Sequence, residues 1–202
     1  VELMVFPLLA VAIWQWGTGL DWELEELDLL TVFPLLGMIA FTTMWWHFLV
    51  GFVAQIKPNF TKFKRLHLVS GYWVFVAIVL HPLLFWVWGV GEGFASPLDI
   101  YKAYLGDDYR FALLGTLGLF VFLLYDLARW LRERPFIKRY WWVVDSIDDT
   151  AFLIIFIHSI NIGQHVQSGW FRYLWIFYGL SGLFFILYKR LTTTTNVAPT
   201  QP

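Results

Sequence analysis

The chain contains no cysteine. That excludes disulfides, thiolate-bound zinc, iron–sulfur clusters and cysteine nucleophiles together, so any metal must be held by His, Asp, Glu, Met or Tyr. Charge is scarce as well. Only 14% of the 202 residues are charged, against about 25% in a soluble domain, which leaves too few to solvate a surface. No G-x-G-x-x-G turn opens a helix after a strand, and no soluble domain is there to hold FAD or a nicotinamide. Neither a Ser/His/Asp constellation nor a zinc-protease helix is present. A net charge of −1 gives no basis for a nucleic-acid partner.

What the chain has instead is apolar length. It is 59% hydrophobic and 21% aromatic, with a mean hydropathy of +0.62, and runs long enough to cross a bilayer recur along it. The first apolar run, about 1–16, is short for a span. Fuller spans are expected at about 29–56, 67–90, 111–127, 141–162 and 170–188. They are separated by an acidic link, DWELEELD at 21–28, and by a Gly/Pro-containing loop, GEGFASPLDIYKAYLGDDY at 91–109. Two basic links also intervene. One holds Lys57, Lys62, Lys64 and Arg65; the other holds Arg129, Arg132, Arg134, Lys138 and Arg139. With Lys189 and Arg190 at the end of the last span, these are eleven of the fourteen Lys and Arg residues.

The positive-inside rule then puts both termini and both basic links on the cytoplasmic side. Trp and Tyr at span ends, such as Trp45, Trp46, Trp141, Trp142 and Trp170, serve as interface anchors. The expectation is an all-α integral membrane protein, a bundle of six transmembrane helices over 1–190, in the inner (cytoplasmic) membrane of a bacterium. A polar tail over 191–202 is expected to be disordered. The chain opens on Val1 rather than Met, so sequence beyond that end is expected. No internal repeat stands out.

Histidines mark the candidate site. His67 and His81 bracket one apolar span, fourteen residues and roughly 21 Å of helix axis apart, and both lie on one face. His158 lies about 17 residues, roughly 25 Å, into the span that begins at Trp141. With the third and fifth spans running the same way, His81 and His158 reach similar depth in the outer half. Two antipodal imidazoles at one depth are what a haem iron needs. A lone intramembrane His is more often a hydrogen-bonding helix contact, and the aromatic residues nearby are ordinary membrane core. His165, beside Gln164 at the outer surface, is expected to be solvated, with quinone binding or proton relay as alternatives.

The residues KFKRLH at 62–67, then Gly71, the His81–Pro82 pair and FLIIFIH ending at His158 resemble the ferric reductase-like transmembrane domain. That family includes NADPH oxidases, iron reductases and the haem subunit of the bacterial methionine sulfoxide reductase system. The resemblance covers about 29–190. It implies a b-type cytochrome that passes electrons from a cytoplasmic flavin or NAD(P)H partner, or a quinol, to an outer-side acceptor. It implies haem b held by His81 and His158, with flavin only through a separate reductase subunit. Two-haem members carry another His about thirteen residues before the outer one on the fifth helix; here that position is Asp145. An inner haem on His67 therefore lacks its expected partner, and His47 on the second span is the candidate substitute. One haem, two haems, or an inner haem with an open position all stay open at this point.

Asp145, Asp148 and Asp149 are expected either to cap and complement the start of their helix or to handle protons or flavin at the cytoplasmic face. Two rival readings remain beside the cytochrome. One is a quinol- or ascorbate-dependent cytochrome of the b561 type, and the other is a haem-free scaffold subunit of a larger complex.

Overall fold

A computed structural model describes residues 5–25, 27–57 and 64–195, with the side chains of 64–68 and 193–195 left outside the description. Eight α-helices are present among the described residues: α1 Val5–Thr18, α2 Leu29–Ile56, α3 Lys64–Gly91, α4 Pro97–Leu105, α5 Tyr109–Trp130, α6 Pro135–Arg139, α7 Trp141–Ile162 and α8 Gly169–Thr195. Short 3-10 turns at Gly106–Asp108 and Gln164–Val166 join them. No strand occurs among the described residues.

Among the described residues, four stretches are long and apolar enough to cross a membrane: Leu29–Ile56, Val69–Gly91, Pro97–Trp130 and Gly169–Thr192. Their outer surfaces agree. On α5 the exposed large residues include Leu113, Leu117, Phe120, Leu124 and Leu127, and on α8 they include Tyr173, Phe177, Leu180, Phe184, Leu187 and Leu191. Both sets recur every three or four residues, so each helix shows the solvent side one continuous apolar stripe. Water would not tolerate that much contiguous apolar surface; lipid does. α1, at 14 residues, is shorter than a full span, and α7 carries three aspartates along its first half.

Local signals explain where the helices begin. Asp28 caps α2 reciprocally with Thr31: the Asp28 carboxylate accepts from Thr31 N at 2.7 Å, and Thr31 Oγ1 accepts from Asp28 N at 3.0 Å. Ser96 caps α4, with Pro97 at its first position and Asp99 in its first turn. This helix occupies the middle of the stretch expected to be a plain loop, and its start signal, S-P-x-D, is the ordinary one. α8 continues to Thr195, so helix runs into the expected disordered tail; Thr192 Oγ1 donates back to Tyr188 O at 2.9 Å. Residues 196–202 lie outside the described residues.

Two antiparallel pairs dominate the packing, α2 with α3 and α5 with α7, and α8 rests on both α2 and α7. At the centre Phe41 of α2 stacks on Phe152 of α7 at 5.3 Å and meets Trp175 of α8 at 4.8 Å. Glycines let the helices close: Phe152 lies against Gly182, and Phe156 against Gly179. In a medium without a hydrophobic driving force between helices, such close small-residue contacts carry the association. A second cluster, Phe85, Ile100, Tyr101 and Ala112, fastens α4 to α3 and α5, with Ile100 lodged against Gly89.

Candidate functional site

The bundle encloses a cavity of about 520 Å³ between α2, α3, α4, α5 and α7, within the usual range of ligand pockets. His81 reaches it from α3 and His158 from α7. Their ring centroids are 6.4 Å apart and their planes nearly perpendicular, at 80°. The two residues expected to pair across separate helices are therefore brought together.

Each ring is held from behind in the same way. His81 Nδ1 lies 2.6 Å from Phe33 O on α2, and His158 Nδ1 lies 2.8 Å from Phe111 O on α5. A carbonyl oxygen only accepts, so each Nδ1 carries the proton and donates, and each Nε2 is left with its lone pair. That is the tautomer in which imidazole binds a metal, with its other nitrogen fixed by a backbone acceptor. Phe33 O and Phe111 O each precede a glycine by one turn, and the rings rest on those glycines: Gly37 under His81 and Gly115 under His158.

The cavity walls are mostly apolar, including Met38, Phe41, Ile78, Leu119 and Ile155. Polar groups gather where α4 and the turn after α7 meet the cavity. Trp86 Nε1 donates to Tyr101 Oη at 2.7 Å, and Tyr101 Oη lies 3.0 Å from Thr116 Oγ1. Gln164 Nε2 donates to Tyr104 Oη at 2.7 Å. His165 is half-buried against Gly19 and also lines this cavity, rather than standing free in solvent; burial lowers its pKa below 6.5.

A second, smaller cavity of about 170 Å³ lies further along the bundle, and Met44 lines both. Its walls include Phe48, Phe52 and Phe122, with His47, Tyr125, Asp126, Arg129, Asp148 and Lys189. His47 Nε2 lies 2.7 Å from Ser70 Oγ. The His67 side chain lies outside the described residues.

The aspartates of α7 do neither of the things expected of them as helix-start residues. No side chain caps α7, whose first residue is Trp141; Asp145 and Asp149 sit more than a turn further in and reach across to α8. Lys189 Nζ lies 2.8 Å from Asp145 Oδ2 and 3.0 Å from Asp149 Oδ1. Arg190 Nε donates to Asp149 Oδ2 at 2.9 Å, and its Nη2 contacts the same oxygen. Asp148 turns the other way, into the smaller cavity.

No family model, curated protein or solved structure matches the chain. Among the described residues no group of three or more His, Cys, Asp or Glu side chains could hold a metal ion. The rings that face one another in the large cavity are those of His81 and His158, with His165 at the turn after α7.

Sequence reading passed over Phe33, Gly37, Phe111 and Gly115. Their signal was legible: F-P-L-L-G at 33–37 and F-A-L-L-G at 111–115 are near-copies, and each precedes its histidine by almost the same interval, 48 and 47 residues from the Phe.

Proposed function

We propose that the chain is a membrane-embedded b-type cytochrome, with His81 and His158 as the axial ligands of one haem b. The observation that carries this reading is the pair of imidazoles, 6.4 Å between centroids, each with Nδ1 tied to a carbonyl and Nε2 free. Two imidazoles at that separation on different helices would be able to hold one metal ion between them. A zinc-type site would need a third protein donor, and none is close among the described residues. A porphyrin iron brings its own four equatorial nitrogens and needs only the two axial ones.

The residues fit the group. The 520 Å³ cavity offers apolar walls for a macrocycle and polar groups at one end. Haem bound there would supply reversible one-electron redox chemistry, with the imidazoles and the dry surroundings setting its potential. The protein's part is to hold both rings in one tautomer and keep water from the metal. His81 and His158 together would hold the group, which would then serve electron transfer rather than binding of oxygen or another substrate.

The reading includes six spans with both termini cytoplasmic, in the inner membrane of a bacterium. The cluster of basic residues in the α5–α7 link, Arg129 to Arg139, supports that orientation. A quinol or a separate flavin-carrying reductase on the cytoplasmic side would supply electrons, and an acceptor on the outer side would take them. The reading takes one haem rather than two. Asp145, at the position where two-haem relatives of the proposed type carry a histidine, is occupied by Lys189, and the cavity beside His47 has about a third of the larger one's volume.

The test is haem per chain in the purified protein, with a dithionite-reduced minus oxidised spectrum. One b-type haem in the wild type, lost in both His81→Ala and His158→Ala, is the expected result. Colourless intact protein, or full haem content in both variants, would end the cytochrome reading in favour of a scaffold subunit.

A further inference from the structure

The two histidine seats repeat one another in sequence and in space. Phe33-Pro-Leu-Leu-Gly37 on α2 receives His81 of α3, and Phe111-Ala-Leu-Leu-Gly115 on α5 receives His158 of α7. In each, the Phe carbonyl takes the Nδ1 proton and the glycine one turn later lies under the ring. The helix pairs that pack most extensively, α2 with α3 and α5 with α7, are the pairs that build these seats.

We infer that Gly37 and Gly115 are positioning residues, which set the reach and plane of the two imidazoles toward the metal through this duplicated seat. The inference rests on the cytochrome reading. A Cβ added at Gly37 would lie 2.9 Å from His81 Cε1 and 3.0 Å from its Nδ1, and one at Gly115 would lie 2.5 Å from His158 Cε1 and 2.8 Å from its Cγ. Ordinary contacts begin near 3.4 Å. Alanine at 37 therefore pushes the His81 ring by about half an ångström, and alanine at 115 pushes the His158 ring by about one. Neither ring can retreat and keep its Nδ1–H···O=C bond, because the carbonyl and the glycine belong to the same helical turn. The near-perpendicular planes, 80° apart, follow from two such seats on different helices.

Other glycines provide the contrast. Gly51 lies on α2, about four turns beyond Gly37, and a Cβ there meets nothing within 4 Å. Alanine is also the better helix former, so a glycine-to-alanine change on its own favours these helices.

The experiment compares Gly37→Ala, Gly115→Ala and Gly51→Ala in the full chain, purified from membranes. Three readouts are taken: haem per chain, the low-spin EPR signal of the oxidised protein, and size-exclusion profile. Perpendicular axial imidazoles give the highly anisotropic low-spin signal, so that signal reports ring orientation independently of electron-transfer activity. Gly51→Ala should match the wild type. Gly37→Ala should keep haem but with its largest g value shifted. Gly115→Ala should lose haem affinity by about tenfold or more, the scale of lost support to a metal-bound His. Unchanged EPR and haem content in Gly37→Ala and Gly115→Ala overturns the inference while leaving the cytochrome intact. If Gly115→Ala does not accumulate, Gly37→Ala decides by its EPR signal. If neither accumulates as monodisperse protein while Gly51→Ala does, the glycines serve helix packing and the inference fails. A wild type without haem removes the cytochrome reading and this inference with it.

Discussion

Asp149 should be the carboxylate on which the α7–α8 contact depends. Its side chain is only 7% exposed, against 34% for Asp145. It accepts from Lys189 Nζ at 3.0 Å and from Arg190 Nε at 2.9 Å, with Arg190 Nη2 on the same oxygen. Removing one partner of a buried ion pair costs about 3–5 kcal/mol, because a charge is left without compensation. Here Lys189 keeps Asp145 at 2.8 Å and both cations are a quarter to a third exposed, so Asp149→Ala should cost about 2–3 kcal/mol. For a chain of this length that is a fall of about 5–10 °C in Tm. Asp145→Ala, which removes a group a third exposed, should cost about 1 kcal/mol or less. Thermal unfolding in one detergent, followed by tryptophan fluorescence, compares the two directly. A double-mutant cycle with Arg190→Ala should return a coupling of about 1–2 kcal/mol. Equal effects of the two aspartate substitutions, within about 0.5 kcal/mol, would refute the reasoning.

Further outcomes follow from single contacts. Phe152, fully buried and packed on Phe41 and Gly182, should cost about 3–5 kcal/mol when cut to Ala, read by the same unfolding assay. Tyr101→Phe removes the hydroxyl that accepts from Trp86 Nε1 and pairs with Thr116, and should cost about 1 kcal/mol by leaving a partly buried indole N–H unpaired. His165 has its pKa lowered by burial, so below about pH 6.5 the unfolded chain binds more protons than the folded one. Its contribution is complete above that pH and is lost as the pH falls. Unfolding temperatures at successive pH values from 7.5 to 5.5 should therefore decline less steeply in His165→Gln than in the wild type.

Helix content and membrane character were legible because they depend on patterns a linear sequence displays: long apolar runs, few charges, and caps such as Asp28 and Ser96. The His81–His158 pairing was legible from depth alone, since equal rise along two helices puts equal heights side by side. What stayed hidden was whatever depends on the face a residue shows its neighbour. Asp145 and Asp149 look like residues near the start of a helix, and only the packing of α8 on α7 shows them engaged with Lys189 and Arg190. Gly37 and Gly115 looked like small residues in apolar helices until a histidine ring lay on each. His165 follows Ile162 closely enough to look like a surface residue, yet the turn at Gln164–Val166 folds it back over the cavity against Gly19.

The ionic clasp between α7 and α8 also bears on how the chain enters a bilayer. In the proposed topology α7 crosses the membrane, yet with three aspartates it is the most acidic of the crossing helices, and each unpaired acid costs about 2.5–3.5 kcal/mol at the centre of a bilayer on insertion scales. Two of those charges find their counter-ions only at Lys189 and Arg190, some forty residues later in translation. The two helices are thus expected to leave the translocon as one hairpin. A ribosome-stalled chain cut before residue 189 and followed by a linker long enough to fill the exit tunnel should hold α7 at the membrane surface, and one cut after residue 195 with the same linker should release it into the lipid.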